Sequence, residues 1–164
     1  MVLPDLLEEN LEIVFCGTAA GDKSAERQAY YAGRGNMFYM ILALCGFTPR
    51  VLHPDEYTKL LLYGIGLTDL AKFTHGMDNK LVMTDYDIAS FENKIQKYSP
   101  KVVCFNGKEA AKVFLQLNKT SQINFGLQDT TINNTKVYVA PSTSFSARKY
   151  WDEEHWHNIK LHLK

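Results

Sequence analysis

Two glycine-containing segments of this chain carry residue types suited to holding a flat, polar ring. The apolar run Ile13-Val14-Phe15-Cys16 leads directly into the turn Gly17-Thr18-Ala19-Ala20-Gly21. Small residues after a strand let backbone N–H groups approach a bound molecule closely. Further along, Tyr30-Tyr31-Ala32-Gly33-Arg34-Gly35-Asn36 places two aromatic rings and an amide just before a second apolar run. Aromatic rings stack on planar groups and an amide hydrogen-bonds them, so the combination indicates a nucleobase pocket.

A third segment, close to the C-terminus, has the composition of a loop that contacts nucleic acid. It reads Pro141-Ser142-Thr143-Ser144-Phe145-Ser146-Ala147-Arg148 and follows an apolar run. Its hydroxyl and backbone N–H groups can bind phosphates, and Arg148 adds a positive charge. Phe145 has the size and polarity of a wedge that enters a stack of bases.

Each of these segments also has a purely structural interpretation. The glycine turn lacks the Gly-Lys-Ser/Thr ending of a phosphate-binding loop and the third glycine of the dinucleotide fingerprint. Tyr30 and Tyr31 can simply cover the sheet, with Asn36 as the N-cap of the next helix. The serine-rich segment can be an ordinary strand-to-helix connection.

Other catalytic chemistry has little support in the residue pattern. None of the five histidines (His53, His75, His155, His157 and His162) pairs with carboxylates at metal-ligand spacing, and no nucleophile elbow is present. We therefore expect no metal site and no cofactor. Asp22 and Glu26 are the only acids between the glycine turn and the tyrosines. They are candidates to activate a water, although solvation of the surface is the commoner role of such residues.

Length and composition indicate one folded domain, residues 1–164. The chain is 46% hydrophobic and 12% aromatic, which allows a sizeable core. Its 18 Lys and Arg residues balance 18 Asp and Glu residues, which does not favour a general nucleic-acid binder. A local basic patch remains compatible with that balance, because net charge does not report distribution.

The three cysteines favour a reducing compartment. Cys16, Cys45 and Cys104 lie in apolar runs without metal-site spacing, so we expect buried free thiols. Three thiolates are too few for an iron–sulfur cluster. No secretory signal or transmembrane run is visible, which makes the cytoplasm the expected location and a membrane partner unexpected.

Strand-like and helix-like segments alternate along the chain. The predicted strands are 11–17, 102–105 and 137–140, with a short strand or turn at 64–70. The predicted helices are 36–45, 55–63, 85–98, 107–117 and 152–163, and residues 72–80 are predicted to form a loop. Such alternation predicts a three-layer α/β/α sandwich with a central, mainly parallel sheet. Ligands of such sheets bind beyond the carboxyl ends of the strands.

Taken together, these segments resemble the uracil-DNA glycosylase superfamily over residues 11–151. The nearest likeness is to the mismatch-specific uracil/thymine branch and the hypoxanthine-DNA glycosylase branch. The blocks that carry it are Val14-Phe15-Cys16-Gly17, Asn36-Met37-Phe38-Tyr39, Tyr63-Gly64-Ile65-Gly66-Leu67-Thr68-Asp69-Leu70, Phe105-Asn106-Gly107-Lys108 and Pro141-Ser142-Thr143-Ser144. The resemblance implies the same α/β fold and a monomeric enzyme that hydrolyses the N-glycosidic bond of a damaged or mismatched base in DNA.

The chain departs from the mismatch-specific branch at two positions. That branch has Asn in the first motif, where this chain has Ala19, and Asn or His before Pro-Ser, where it has Ala140. The hypoxanthine branch also lacks the first Asn and relies on the Asn of its Tyr-Tyr-Ala segment. The resemblance therefore implies a catalytic role for Asn36.

The implied mechanism extrudes the base from the duplex. Tyr31 stacks on the base, Phe38 joins the base site, and N–H groups of Gly17, Thr18 and Ala19 hold its carbonyl oxygen. The DNA-binding residues are Pro141, Ser142, Thr143, Ser144, Phe145 and Arg148. No nucleophilic lysine is required, so the chemistry is monofunctional.

Two other functions stay open at this point. Ala19 and Ala140 also suit a DNA-damage binder of this fold that has lost catalysis. The neutral net charge also suits an α/β enzyme that acts on small nucleosides or nucleotides. The excised base, uracil or hypoxanthine, is not determined by these residues.

Overall fold

A five-stranded sheet organises the chain, and the computed structural model describes all residues, 1–164. Its strands are β1 (Ile13–Gly17), β2 (Ile65–Asp69), β3 (Val102–Asn106), β4 (Gly126–Ile132) and β5 (Thr135–Ala140). They lie in the order β2-β1-β3-β5-β4, and only β4 runs antiparallel to its neighbour. The sheet is therefore mainly parallel, as predicted, and four strands end at the same edge.

The central strands are apolar on both faces because each face is covered. In β1, Ile13 and Phe15 point into one core while Val14 and Cys16 point into the other. All four side chains are fully buried. This alternation fixes which side chains at the end of β1 face which layer.

Helices lie on both sides of the sheet. They are α1 (Asp22–Arg27), α2 (Phe38–Leu44), α3 (Ile88–Tyr98), α4 (Lys108–Leu115) and α5 (Glu153–His157). One core contains Leu42 of α2 and Trp156 of α5, whereas the other contains Phe91 of α3 and Phe114 of α4. The three-layer α/β/α sandwich is thus confirmed. None of the helices has the length and apolar character that crossing a membrane would require.

Several predicted helices have different bounds or a different type. The predicted helix 36–45 begins only at Phe38, because Asn36 lies outside it as a capping side chain. The predicted helix 55–63 is a 3-10 helix, Pro54–Tyr63, which starts with a proline and is capped by His53. At the C-terminus α5 continues as a second 3-10 helix, Asn158–His162, and not as one long α-helix.

One α-helix and one strand were not predicted, and both are largely polar. Helix α1 buries only Ser24, so it has no apolar periodicity to reveal it. Strand β4 is an edge strand with mostly exposed or half-buried residues. Within the cores, Cys16, Cys45 and Cys104 are buried and free, as predicted.

Candidate active site

The carboxyl ends of the parallel strands open into a cavity of about 1180 Å³. Nine of the predicted site residues line it: Gly17, Thr18, Ala19, Tyr31, Asn36, Ser142, Thr143, Ser144 and Phe145. These residues are widely separated in the sequence, and the sheet brings them together at one edge. Phe38, Pro141 and Arg148 do not line the cavity.

The turn after β1 presents free backbone donors to this cavity. The carbonyls of Gly17 and Thr18 accept bonds from Leu70 and Ala71, which anchors the turn to the segment after β2. The N–H groups of Thr18 and Ala19 have no acceptor within the chain. They are therefore available to hydrogen-bond a ligand oxygen.

Tyr31 provides an aromatic surface supported from behind by Phe38. The two ring centroids lie 4.0 Å apart with an angle of 29° between the planes. Tyr31 lines the cavity, whereas Phe38 is fully buried. The expected contact of Phe38 with a base is therefore corrected: Phe38 supports Tyr31 because it occupies a buried helical position that faces the core.

Tyr31 is also under conformational strain. Its φ angle of 55° lies in the left-handed region, which is unusual for a bulky residue. Its hydroxyl group is buried without a hydrogen bond of normal geometry, although the Asn106 side chain lies near enough to lower its pKa. Burial and the negative charge of Asp69 raise the pKa of this hydroxyl well above its usual value. Strain and an unpaired polar atom at one residue are typical of a functional site.

The amide of Asn36 is oriented by the start of α2. Its Oδ1 accepts a hydrogen bond from the Phe38 N–H at 3.0 Å, so the side chain does cap the helix. Its Nδ2 has no acceptor within the chain, and Asn36 lines the cavity. The structural and the functional interpretation of Asn36 are therefore compatible: one end holds the helix, and the other can donate to a ligand.

The inner end of the serine-rich segment is held in place by Thr143. Its N–H donates to Asn106 Oδ1 at 3.0 Å, and its hydroxyl accepts from Asn106 Nδ2 at 2.9 Å. Its carbonyl accepts from Met37 N–H at 2.9 Å. Pro141 is buried, and its carbonyl accepts from the Trp156 indole N–H at 2.9 Å. Pro141 is thus a structural anchor of the loop in the free protein, away from the cavity.

The tip of the same segment is exposed. Phe145 has 62% of its surface exposed, and the Arg148 guanidinium lies 4.9 Å from the centre of its ring. A side chain at Gly35 would come within 2.8 Å of Phe145, so the absence of one lets Phe145 fold back there. Three cations, Lys23, Arg34 and Lys108, line the cavity together with four carboxylates, Asp22, Asp69, Asp78 and Glu109, so the lining carries both signs of charge.

The two alanines that depart from the family pattern have different surroundings. Ala19 lines the cavity, where its methyl group can neither accept nor donate a hydrogen bond. Ala140 is fully buried at the end of β5 and belongs to the core that contains Trp156. Neither position can bind a water through its side chain.

Sequence reasoning missed Asp69, the one buried carboxylate in the cavity wall. It is 5% exposed and pairs in register with Gly17 at the ends of β2 and β1. Burial raises its pKa to about 6, although Lys72 opposes the shift. The indication in the sequence is an acid at the end of an apolar strand. A prediction of a short strand or turn over residues 64–70 gives that acid no role.

The two acids proposed from the sequence are poor candidates by comparison. Glu26 lies on the surface beside Lys23 and does not line the cavity. Asp22 does line it, but its side chain is 66% exposed and pairs with His75 at 2.8 Å. None of the five histidines lines the cavity, and no cluster of three or more His, Cys, Asp or Glu side chains is placed to hold a metal ion.

Comparison with known proteins agrees with this architecture. The chain is similar to the solution NMR structure of a candidate uracil DNA glycosylase from Methanosarcina acetivorans, with a TM-score of 0.68. The sequences are 23% identical, and the match covers 98% of this chain and 96% of the other, which shows a shared fold. The model of the uracil DNA glycosylase superfamily matches residues 4–161. Because that match spans nearly the whole sequence, the chain belongs to the uracil DNA glycosylase superfamily.

Proposed function

We propose that the protein is a monofunctional, monomeric DNA glycosylase that excises a deaminated base, uracil or hypoxanthine, after the base has been flipped out of DNA. The observation that supports this proposal is the arrangement of three groups around one cavity. These are the Tyr31 surface backed by Phe38, the free donors of Thr18 and Ala19, and the exposed Phe145 on the adjoining loop.

Each group has a task in base excision. Tyr31 stacks on the extruded base, and Phe145 fills the gap left in the duplex. The free N–H groups and the Asn36 Nδ2 hydrogen-bond carbonyl oxygens of the base. Negative charge develops on the base as the C1′–N bond breaks, so these donors bind the transition state more tightly than the intact nucleotide.

The tip of the serine-rich loop supports duplex DNA as the substrate in preference to a free nucleoside. Phe145 is 62% exposed, and the Arg148 guanidinium lies 4.9 Å from the centre of its ring. A cation in this place can bind a phosphate next to an extruded nucleotide and thereby position the duplex. A small nucleoside would need neither Arg148 nor an exposed Phe145.

The test uses labelled duplexes that carry one uracil or one hypoxanthine opposite each partner base. After incubation, alkali cleaves any abasic site that has formed. We expect strand scission by the wild type and a large loss for Asn36→Ala. The absence of scission on every duplex, with enzyme in excess over hours, would contradict the proposal.

A second candidate is a DNA-damage binder without catalysis, favoured by the inert methyl of Ala19 in the cavity. The same duplexes distinguish the two functions through binding. A silent binder would retain affinity for a damaged duplex over an undamaged one while forming no abasic site, and Asn36→Ala would leave that affinity unchanged.

A further inference from the structure

We propose that Asp69 is the catalytic base of this site, taking a proton from the attacking water. This inference rests on the proposed glycosylase function. It addresses what that function leaves open, since neither Ala19 nor Ala140 can activate a water. The free end of Asn36 is a donor only, so it cannot accept the water's proton.

The position of Asp69 is the first support. Its Oδ1 lies 3.0 Å from the point that a side chain on Gly17 would occupy, and the Tyr31 hydroxyl lies 3.8 Å from the same point. Asp69 and the Tyr31 hydroxyl therefore lie near one another in the cavity wall beside Gly17. The Tyr31 hydroxyl is buried without a hydrogen bond of normal geometry. A water that enters the cavity next to these two groups would compensate for that hydroxyl.

The second support is the set of charged side chains close to Asp69. A smaller cavity of about 170 Å³, which Asp69 also lines, is bordered by Lys72, Lys94, Asp85 and Asp87. Lys72 and Lys94 favour the ionised form of the Asp69 carboxylate, the form that can accept a proton.

The charges around Asp69 suit a group that gains and loses a proton near neutral pH. The titratable side chains around it are Asp5, Cys16, Tyr30, Tyr31, Lys72 and Lys94. Lys72 and Lys94 favour the ionised carboxylate, while burial and Asp5 oppose it. The two lysines also form ion pairs with Asp5, at 3.0 and 2.7 Å, which moderates their effect.

The step balances without any further reactant. The C1′–N bond breaks and its electron pair leaves with the base, which makes the sugar cationic. The water oxygen forms a bond to C1′, and one water proton moves to the Asp69 carboxylate. The base anion then takes a proton from solvent, and Asp69 returns its proton to solvent, which regenerates the carboxylate.

The experiment measures single-turnover excision as a function of pH for the wild type, Asp69→Asn and Lys94→Met. We expect the wild-type rate to fall below a pH of about 6, because only the ionised carboxylate accepts a proton. Asp69→Asn should lower the rate about 10²- to 10⁴-fold and remove this acid limb while DNA binding is retained. Lys94→Met should move the limb to higher pH, because it removes a charge that favours ionisation of Asp69.

Glu26→Gln is the matched control, an exposed carboxylate that pairs with Lys23 and does not line the cavity. It should keep its activity and its acid limb. An Asp69→Asn rate within threefold of the wild type, or an unmoved limb in Lys94→Met, would overturn the assignment while the glycosylase function stands. Absence of any excision by the wild type would instead overturn the proposed function and this role with it.

Discussion

Replacing Asp69 with asparagine should stabilise the folded protein at pH 8 and leave its stability nearly unchanged at pH 4. The side chain is 5% exposed, and burial raises its pKa to about 6 from a reference value of 3.8. The folded chain therefore binds this proton more tightly than the unfolded chain does. The stability that comes from the protonated form is complete below pH 3.8 and is lost as the pH rises through about 6.

The difference between these two pKa values sets the size of the effect. Each pKa unit corresponds to about 1.4 kcal/mol, so ionised Asp69 costs about 3 kcal/mol of folding free energy at pH 8. Asparagine keeps nearly the same shape and stays neutral, so Asp69→Asn should recover up to about 3 kcal/mol. In a chain of this length that gain corresponds to roughly 6–12 °C in melting temperature.

Urea unfolding followed by tryptophan fluorescence at pH 4 and pH 8 measures this gain. Glu26→Gln serves as control, because Glu26 is an exposed carboxylate whose side chain pairs with Lys23 on the surface. Its free energy of unfolding should stay within about 0.5 kcal/mol of the wild type at both pH values. A variant at Asp69 that is no more stable than the wild type at pH 8, or equally stabilised at both pH values, would refute the reasoning.

Four further substitutions, at three residues, test the remaining parts of the site. Tyr31→Phe removes a buried hydroxyl that forms no hydrogen bond of normal geometry, so it should raise the free energy of unfolding by about 1 kcal/mol in urea titrations. Tyr31→Ala removes the stacking surface, so it should weaken binding of a damaged duplex roughly tenfold or more. Phe145→Ala should leave the melting temperature unchanged, because the side chain is 62% exposed, yet slow excision from duplex far more than from single-stranded DNA. Trp156→Phe leaves the Pro141 carbonyl without its donor and should cost about 1–3 kcal/mol of folding free energy, measurable by calorimetry; an unchanged melting temperature would contradict the anchoring role.

The convergence of the site segments could be predicted from the sequence, because parallel strands end at one edge of their sheet. The turn 17–21 and the serine-rich loop each follow such an end, whereas Tyr31 and Asn36 lie between α1 and α2. All of these segments contribute to one cavity. The roles of single side chains within those segments were less predictable. Phe38 and Asn36 lie two residues apart, yet one faces the core and the other the cavity, which depends on where α2 begins.

Asp69 could not be assigned because its importance depends on strand register. Only the pairing of β1 with β2 places it beside Gly17, and only the folded chain shows that it lines the cavity. Polar elements such as α1 and β4 escaped prediction for a related reason. Their sequences do not carry the apolar periodicity by which a helix or strand is recognised, since neither buries a continuous face.

The three hydrogen bonds of Thr143 fix the inner end of its loop to the rest of the chain. Displacement of Thr143 would break its hydrogen bonds to both Asn106 and Met37. Met37 is the neighbour of Asn36, so the same displacement would also disturb the Asn36 amide in the cavity wall. The position of the loop and the orientation of that amide are therefore coupled through two backbone groups.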